Sequence, residues 1–168
     1  MNRVPHIKAE ARAAIADGRH ADAVELYRRL LAAAPDDWKT VARLGDALAA
    51  TGDKAGAADQ YRRAAAHYES VRHPVMAIAL WSRIQRLFPT ILDVRVKLAE
   101  LHAQAGHLAD ARREYKSVIH TLRREDQGGL AAAYERRLEA LEPTPEPAPP
   151  SAPTAALKRC PHCGGPLP

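Results

Sequence analysis

Residues 18–29 read GRHADAVELYRR, and residues 52–63 read GDKAGAADQYRR. Both open on glycine, carry alanine five residues later (Ala23, Ala57) and end Tyr-Arg-Arg, at a shift of 34 residues. Gly106 and Ala111 repeat the opening a third time, and the pair Ala77/Trp81 recurs 34 residues on as Ala111/Tyr115. Each position has a physical reason. Glycine closes one helix where the chain needs a left-handed turn. Alanine lets the next helix approach its neighbour closely. The aromatic, four residues after the alanine, lies on the same helical face and fills the space between the pair. Pro35 and Pro89 then act as stop signals after the second helices.

A helix–turn–helix unit of this length, with these residue types, resembles the tetratricopeptide repeat (TPR). The resemblance covers roughly residues 4–125. Leu44-Gly45 and Leu98-Ala99 supply the large–small pair expected on first helices. On the motif, first helices run near 4–17, 38–51 and 91–105, and second helices begin near His20, Lys54, Pro74 and Leu108. One departure stands out: Pro35 and Pro89 lie 54 residues apart, so an unpaired helix sits between them. Residues 54–72 fit two registers, with Tyr61 as the aromatic of a second helix or Ala65 and Tyr68 as the small–aromatic pair of a first helix. This long helix is therefore read as shared between overlapping repeats, with Pro74 at the permissive first turn of the next. Residues 127–142 are expected to form a last helix that covers the end of the stack. The fold class is all-α: a TPR-like right-handed solenoid of seven or eight helices over residues 1–141.

The rest of the chain is different in kind. Residues 142–158 hold six prolines between Pro143 and Pro153, which rules out helix and favours a disordered, semi-rigid linker. At polyproline rise, sixteen such residues reach about 50 Å. Residues 159–168 carry Cys160-Pro161-His162-Cys163, the only cysteines in the 168 residues. The thioredoxin-like redox reading of this tetrapeptide needs a following helix, and Gly164-Gly165-Pro166 does not supply one. The tail resembles instead the first half of a bacterial zinc-ribbon knuckle of the Cys-Pro-x-Cys-Gly type. Cys160 and Cys163 give zinc two of the four ligands a structural site requires. A second chain (making a zinc-linked homodimer) or a distant histidine would supply the others; a metal-free remnant is the competing reading.

Composition narrows the function. Apolar residues make up 46% of the chain but aromatics only 5%, and the formal charge is +5. No secretory h-region opens the sequence and no apolar run is long enough to span a membrane. A reducing, bacterial cytoplasmic setting is the expectation. No strand pattern or phosphate-binding glycine loop is present, and an enzyme is not expected. The eight histidines show no recognised ligand spacing and are read as surface or satisfied groups.

In TPR proteins the first helices line a groove that takes a peptide or helix. By that resemblance Lys8 and Arg12 in the first repeat, and Lys39, Arg43 and Asp46 in the second, face the groove. The set is similar in part to the carboxylate clamp of chaperone-binding members. The clamp's asparagines are missing, since Asn2 is the only one in the chain. What remains is a basic strip suited to an acidic protein segment, against the alternative of a solvated charged face. The paired arginines 28/29, 62/63, 112/113, 123/124 and 136/137 suggest nucleic acid at first sight. Nearby carboxylates and scarce free aromatics favour an ion-paired outer face instead. The sequence thus points to an adaptor or scaffold binding another protein through Lys8, Arg12, Lys39 and Arg43.

Overall fold

The computed structural model describes residues 3–141, so the proline-rich linker and the Cys160/Cys163 tail lie outside the described residues. Eight helices follow one another, and no strand occurs among the described residues: α1 (Arg3–Ala16), α2 (His20–Ala33), α3 (Trp38–Ala50), α4 (Lys54–Ser70), α5 (Pro74–Leu87), α6 (Leu92–Gln104), α7 (Leu108–Arg124) and α8 (Gly128–Glu139). Each helix packs mainly on its immediate neighbours in the chain. None of them is long and apolar enough to cross a membrane.

Five of the seven connections are the same turn. In each, the second linking residue has positive φ: Gly18, Gly52, Arg72, Gly106 and Asp126. In each, the next residue's N–H returns to a carbonyl five residues back: Arg19 to Ala14 (2.8 Å), Asp53 to Leu48 (3.0 Å), His73 to Tyr68 (2.8 Å), His107 to His102 (2.9 Å) and Gln127 to Leu122 (2.9 Å). This bond satisfies a carbonyl that the helix end would leave orphaned. Three of the five turns use glycine, the residue that adopts this conformation without strain. The other two connections run through Pro35 and Pro89, and the residue before each proline ends its helix in an extended conformation (Ala34 φ −143, Phe88 φ −136). That is the conformation a following proline imposes.

Packing within the hairpins follows one offset. A small residue and an aromatic sixteen positions later are paired as Ala11/Tyr27, Gly45/Tyr61, Ala65/Trp81 and Ala99/Tyr115. All four small residues are buried, as are Tyr27, Tyr61 and Tyr115, while Trp81 is half-buried. At Gly45 the reason is explicit: a Cβ there would lie 2.6 Å from the Tyr61 ring. The helix α4 belongs to two hairpins at once, packing on α3 with Tyr61 against Gly45, and also on α5, with Ala65 buried. Both registers proposed for residues 54–72 are therefore in use. Trp81 and Tyr68 are less enclosed than the three buried tyrosines, and Trp81 spends its indole N–H on Glu69 Oε1 at 2.8 Å.

A longer period also emerges. The helices α3, α4 and α5 recur 54 residues later as α6, α7 and α8, and the positive-φ residues Gly52 and Arg72 recur as Gly106 and Asp126. The helix α7 is shared just as α4 is. Residues 128–139 are thus the third helix of a second three-helix unit as well as a cover for the stack's end.

The start of α3 is held by Asp37, whose carboxylate accepts from Thr40 N–H (3.2 Å), Thr40 Oγ1 (2.8 Å) and Lys8 Nζ (2.6 Å). Burial by itself raises the Asp37 carboxyl, but the hydrogen bonds from Lys8 and Thr40 outweigh it and hold it below its ordinary 3.8. Asp37→Ala is expected to cost about 1–2 kcal/mol at pH 7, most of it the lost helix cap. A carboxylate with a lowered folded pKa stabilises above its unfolded value and loses that contribution as pH falls through the folded value. The gap between wild type and variant should therefore narrow below pH 3.8. Urea denaturation at neutral and acid pH checks this, and a gap that does not change with pH would contradict it.

Candidate functional site

Two adjoining hollows open between α1, α3 and α5. The larger, about 250 Å³, is lined by Lys39, Ala42, Arg43 and Asp46 of α3, Tyr68 of α4, and Met76, Ala79, Leu80 and Arg83 of α5. The second, about 240 Å³, is lined by Arg12 and Ile15 of α1, Tyr27 of α2, and again Arg43 and Asp46. Lys39, Arg43 and Asp46 stand at i, i+4 and i+7 on one face of α3, which is why a single helix supplies the wall common to both. The floor is apolar, and Met76 in it is 44% exposed.

Of the residues singled out from the sequence, the structure brings Arg12, Lys39, Arg43 and Asp46 together around these hollows. Lys8 is placed otherwise: its ammonium is committed to Asp37 at 2.6 Å, tying α1 to the start of α3. Arg83 joins the site without being marked by any motif. It arrives because α5 packs on the shared helix α4, a consequence of the overlapping repeat rather than of any local motif.

The electrostatics are asymmetric. Four cations, Arg12, Lys39, Arg43 and Arg83, surround one carboxylate, Asp46. That carboxylate is already engaged: its Oδ1 accepts from the Tyr61 hydroxyl at 2.7 Å and from Arg83 at 2.5 Å. The Arg83 guanidinium also lies over the Tyr61 ring, 5.6 Å from its centroid. Burial, and then the Asp46 carboxylate, push the Tyr61 hydroxyl above its ordinary range, so it stays a hydrogen-bond donor. Arg12, Lys39 and Arg43 have no carboxylate within 4.0 Å among the described residues. The hollows thus combine cations unpaired among the described residues with an exposed apolar side chain, Met76.

The paired arginines behave differently. Arg62 pairs with Asp59 (3.0 Å), Arg113 with Asp110 (2.7 Å), Arg123 with Glu135 (2.7 Å) and Arg137 with Glu100 (2.8 Å). Arg112 donates to the Leu141 carbonyl at 2.5 Å. Much of that charge is spent within the molecule.

No curated protein matches the chain. Among solved structures it is similar to a MamA protein, at 18% identity over 84% of this chain and 87% of that one, with a TM-score of 0.37. It is similar also to MamA of Desulfovibrio magneticus RS-1, at 12% identity over 84% and 96% of the two chains (TM-score 0.39). A third similarity is to the type III secretion translocator chaperone SycD of Yersinia enterocolitica, at 17% identity over 82% of each chain (TM-score 0.36). Residues 14–72, which run from the end of α1 through α4 and carry Lys39 and Arg43, match the tetratricopeptide repeat family.

Proposed function

We propose that this chain is a non-enzymatic protein-interaction module that takes an acidic peptide or amphipathic helix in the hollows between α1, α3 and α5. The observation that carries the reading is the set of three cations, Arg12, Lys39 and Arg43, left without carboxylate partners among the described residues beside an exposed apolar floor. A helix with acidic residues on one edge and apolar residues on its face would meet both features, burying Met76 and pairing the free cations. Arg83 and Asp46 are already paired with each other, and Lys8 acts through Asp37 on the position of α1. Affinity drawn from these cations is salt-sensitive, because exposed charges are screened over about 10 Å at 0.1 M salt.

The test is binding of fluorescent acidic peptides, followed by anisotropy at low and moderate salt. The double variant Lys39→Glu, Arg43→Glu should weaken binding at least tenfold. Arg28→Glu, Arg29→Glu, on the exposed side of α2, should leave it within about twofold. Equal losses from both variants, or no binding of acidic peptides by the wild type, would overturn the assignment.

A further inference from the structure

The turn between α6 and α7 differs from its counterparts at one position, where an imidazole replaces a core side chain. All five hairpin turns share the same backbone bond, so their positions align residue by residue. Where the first two turns place Ala14 and Leu48, both buried in the core, this one places His102. Its Nδ1 is buried and has no hydrogen-bond partner among the described residues. The next turn position, His107, is also histidine (His73) in the α4–α5 turn, and Asp110 aligns with Asp22 of the first turn, so neither is unusual alone. What sets this turn apart is His102 at a position that is apolar and buried in three of the other four turns (Ala14, Leu48, Leu122), beside a second imidazole and a carboxylate.

The three side chains converge. One ring nitrogen of each histidine and a carboxylate oxygen of Asp110 all lie within 4.8 Å of one another, and the two rings are 5.7 Å apart between centroids. His107 is exposed, so its ring is free to turn inward, while His102 is held by its half-buried position. Arg113 bonds one Asp110 oxygen at 2.7 Å, but that guanidinium is largely exposed and the contact is weak. Two imidazoles and a carboxylate are a donor set that the borderline ion Zn²⁺ accepts, and its bonds of about 2.0–2.2 Å need only a modest closure of this cluster.

We propose that His102, His107 and Asp110 form a Zn²⁺ site that clamps the α6–α7 turn, with the remaining coordination position left to water. The site is separate from the basic groove.

The test uses the full chain with Cys160→Ser and Cys163→Ser, so that the tail thiols take no metal, and titrates Zn²⁺ calorimetrically. One Zn²⁺ should bind per chain, and its binding should weaken at least tenfold in His107→Ala and in Asp110→Asn. His102→Leu, which restores the residue of the matching turn, should abolish binding while circular dichroism shows full helicity. His120→Ala, an exposed histidine further along α7, should change nothing. Absence of saturable binding would overturn the proposal, as would binding indifferent to His107→Ala or equally sensitive to His120→Ala.

Discussion

Tyr61→Ala is expected to lower stability by about 3–5 kcal/mol, the range for removing a large buried aromatic, and to disorganise the groove at the same time. The ring is 3% exposed and fills the space that Gly45 leaves open on α3. Its hydroxyl holds Asp46, and Asp46 in turn holds Arg83. Deleting the ring opens a cavity between α3 and α4 and releases the one carboxylate in a wall of cations. Tyr61→Phe separates the two roles. It keeps the ring against Gly45 and should cost only about 1 kcal/mol, the usual net value of one hydrogen bond. It should nevertheless free Asp46 to compete with an acidic ligand for Arg43. Thermal denaturation of both variants, beside the peptide-binding assay, checks this. A Tyr61→Phe loss as large as that of Tyr61→Ala would show that the hydrogen bond, not the packing, dominates.

Leu122→Ala should cost about 2–5 kcal/mol, with the damage confined to one end of the molecule. Leu122 is fully buried in a small core formed with Val118, Ile119 and Ala131, apart from the larger core that runs from α1 to α6. Because helices touch mainly their chain neighbours, stability is a sum of local interfaces and the stack can open from its end. Hydrogen exchange should therefore accelerate by about 30-fold or more in α8 and the end of α7, since roughly 2 kcal/mol corresponds to that factor. The α2–α4 segment should change by no more than about twofold. Uniform acceleration across all eight helices would mean the chain unfolds as a single unit.

How far the fold could be read from the sequence depended on the residue types that the repeat uses. Gly18, Gly52 and Gly106 announce their turns because a positive φ favours glycine, and Tyr27, Tyr61 and Tyr115 announce the hairpins that follow. The sharing of α4 was visible because Ala65 and Trp81 keep the small–aromatic pair. The sharing of α7 was hidden, since the corresponding positions hold Ile119 and Glu135 and the turn uses Asp126 in place of glycine. Only the backbone shows that α6–α8 repeat α3–α5. The site was partly legible for the same reason. Arg12, Lys39 and Arg43 lie on first helices, where the resemblance directs attention. Arg83 lies on α5, whose approach to α3 depends on the doubled role of α4. The histidines of the α6–α7 turn carry no recognised spacing, and only the folded turn brings them together with Asp110.

The most direct measurement is an amide-resolved NMR titration of the full chain with a short acidic amphipathic peptide. Perturbed backbone amides should cluster around Arg12 in α1, residues 39–46 in α3 and residues 76–83 in α5. These shifts should vanish in the Lys39→Glu, Arg43→Glu variant. Perturbations centred on the outer arginines of α2 or α7, or shifts in the groove that survive the double charge reversal, would contradict it.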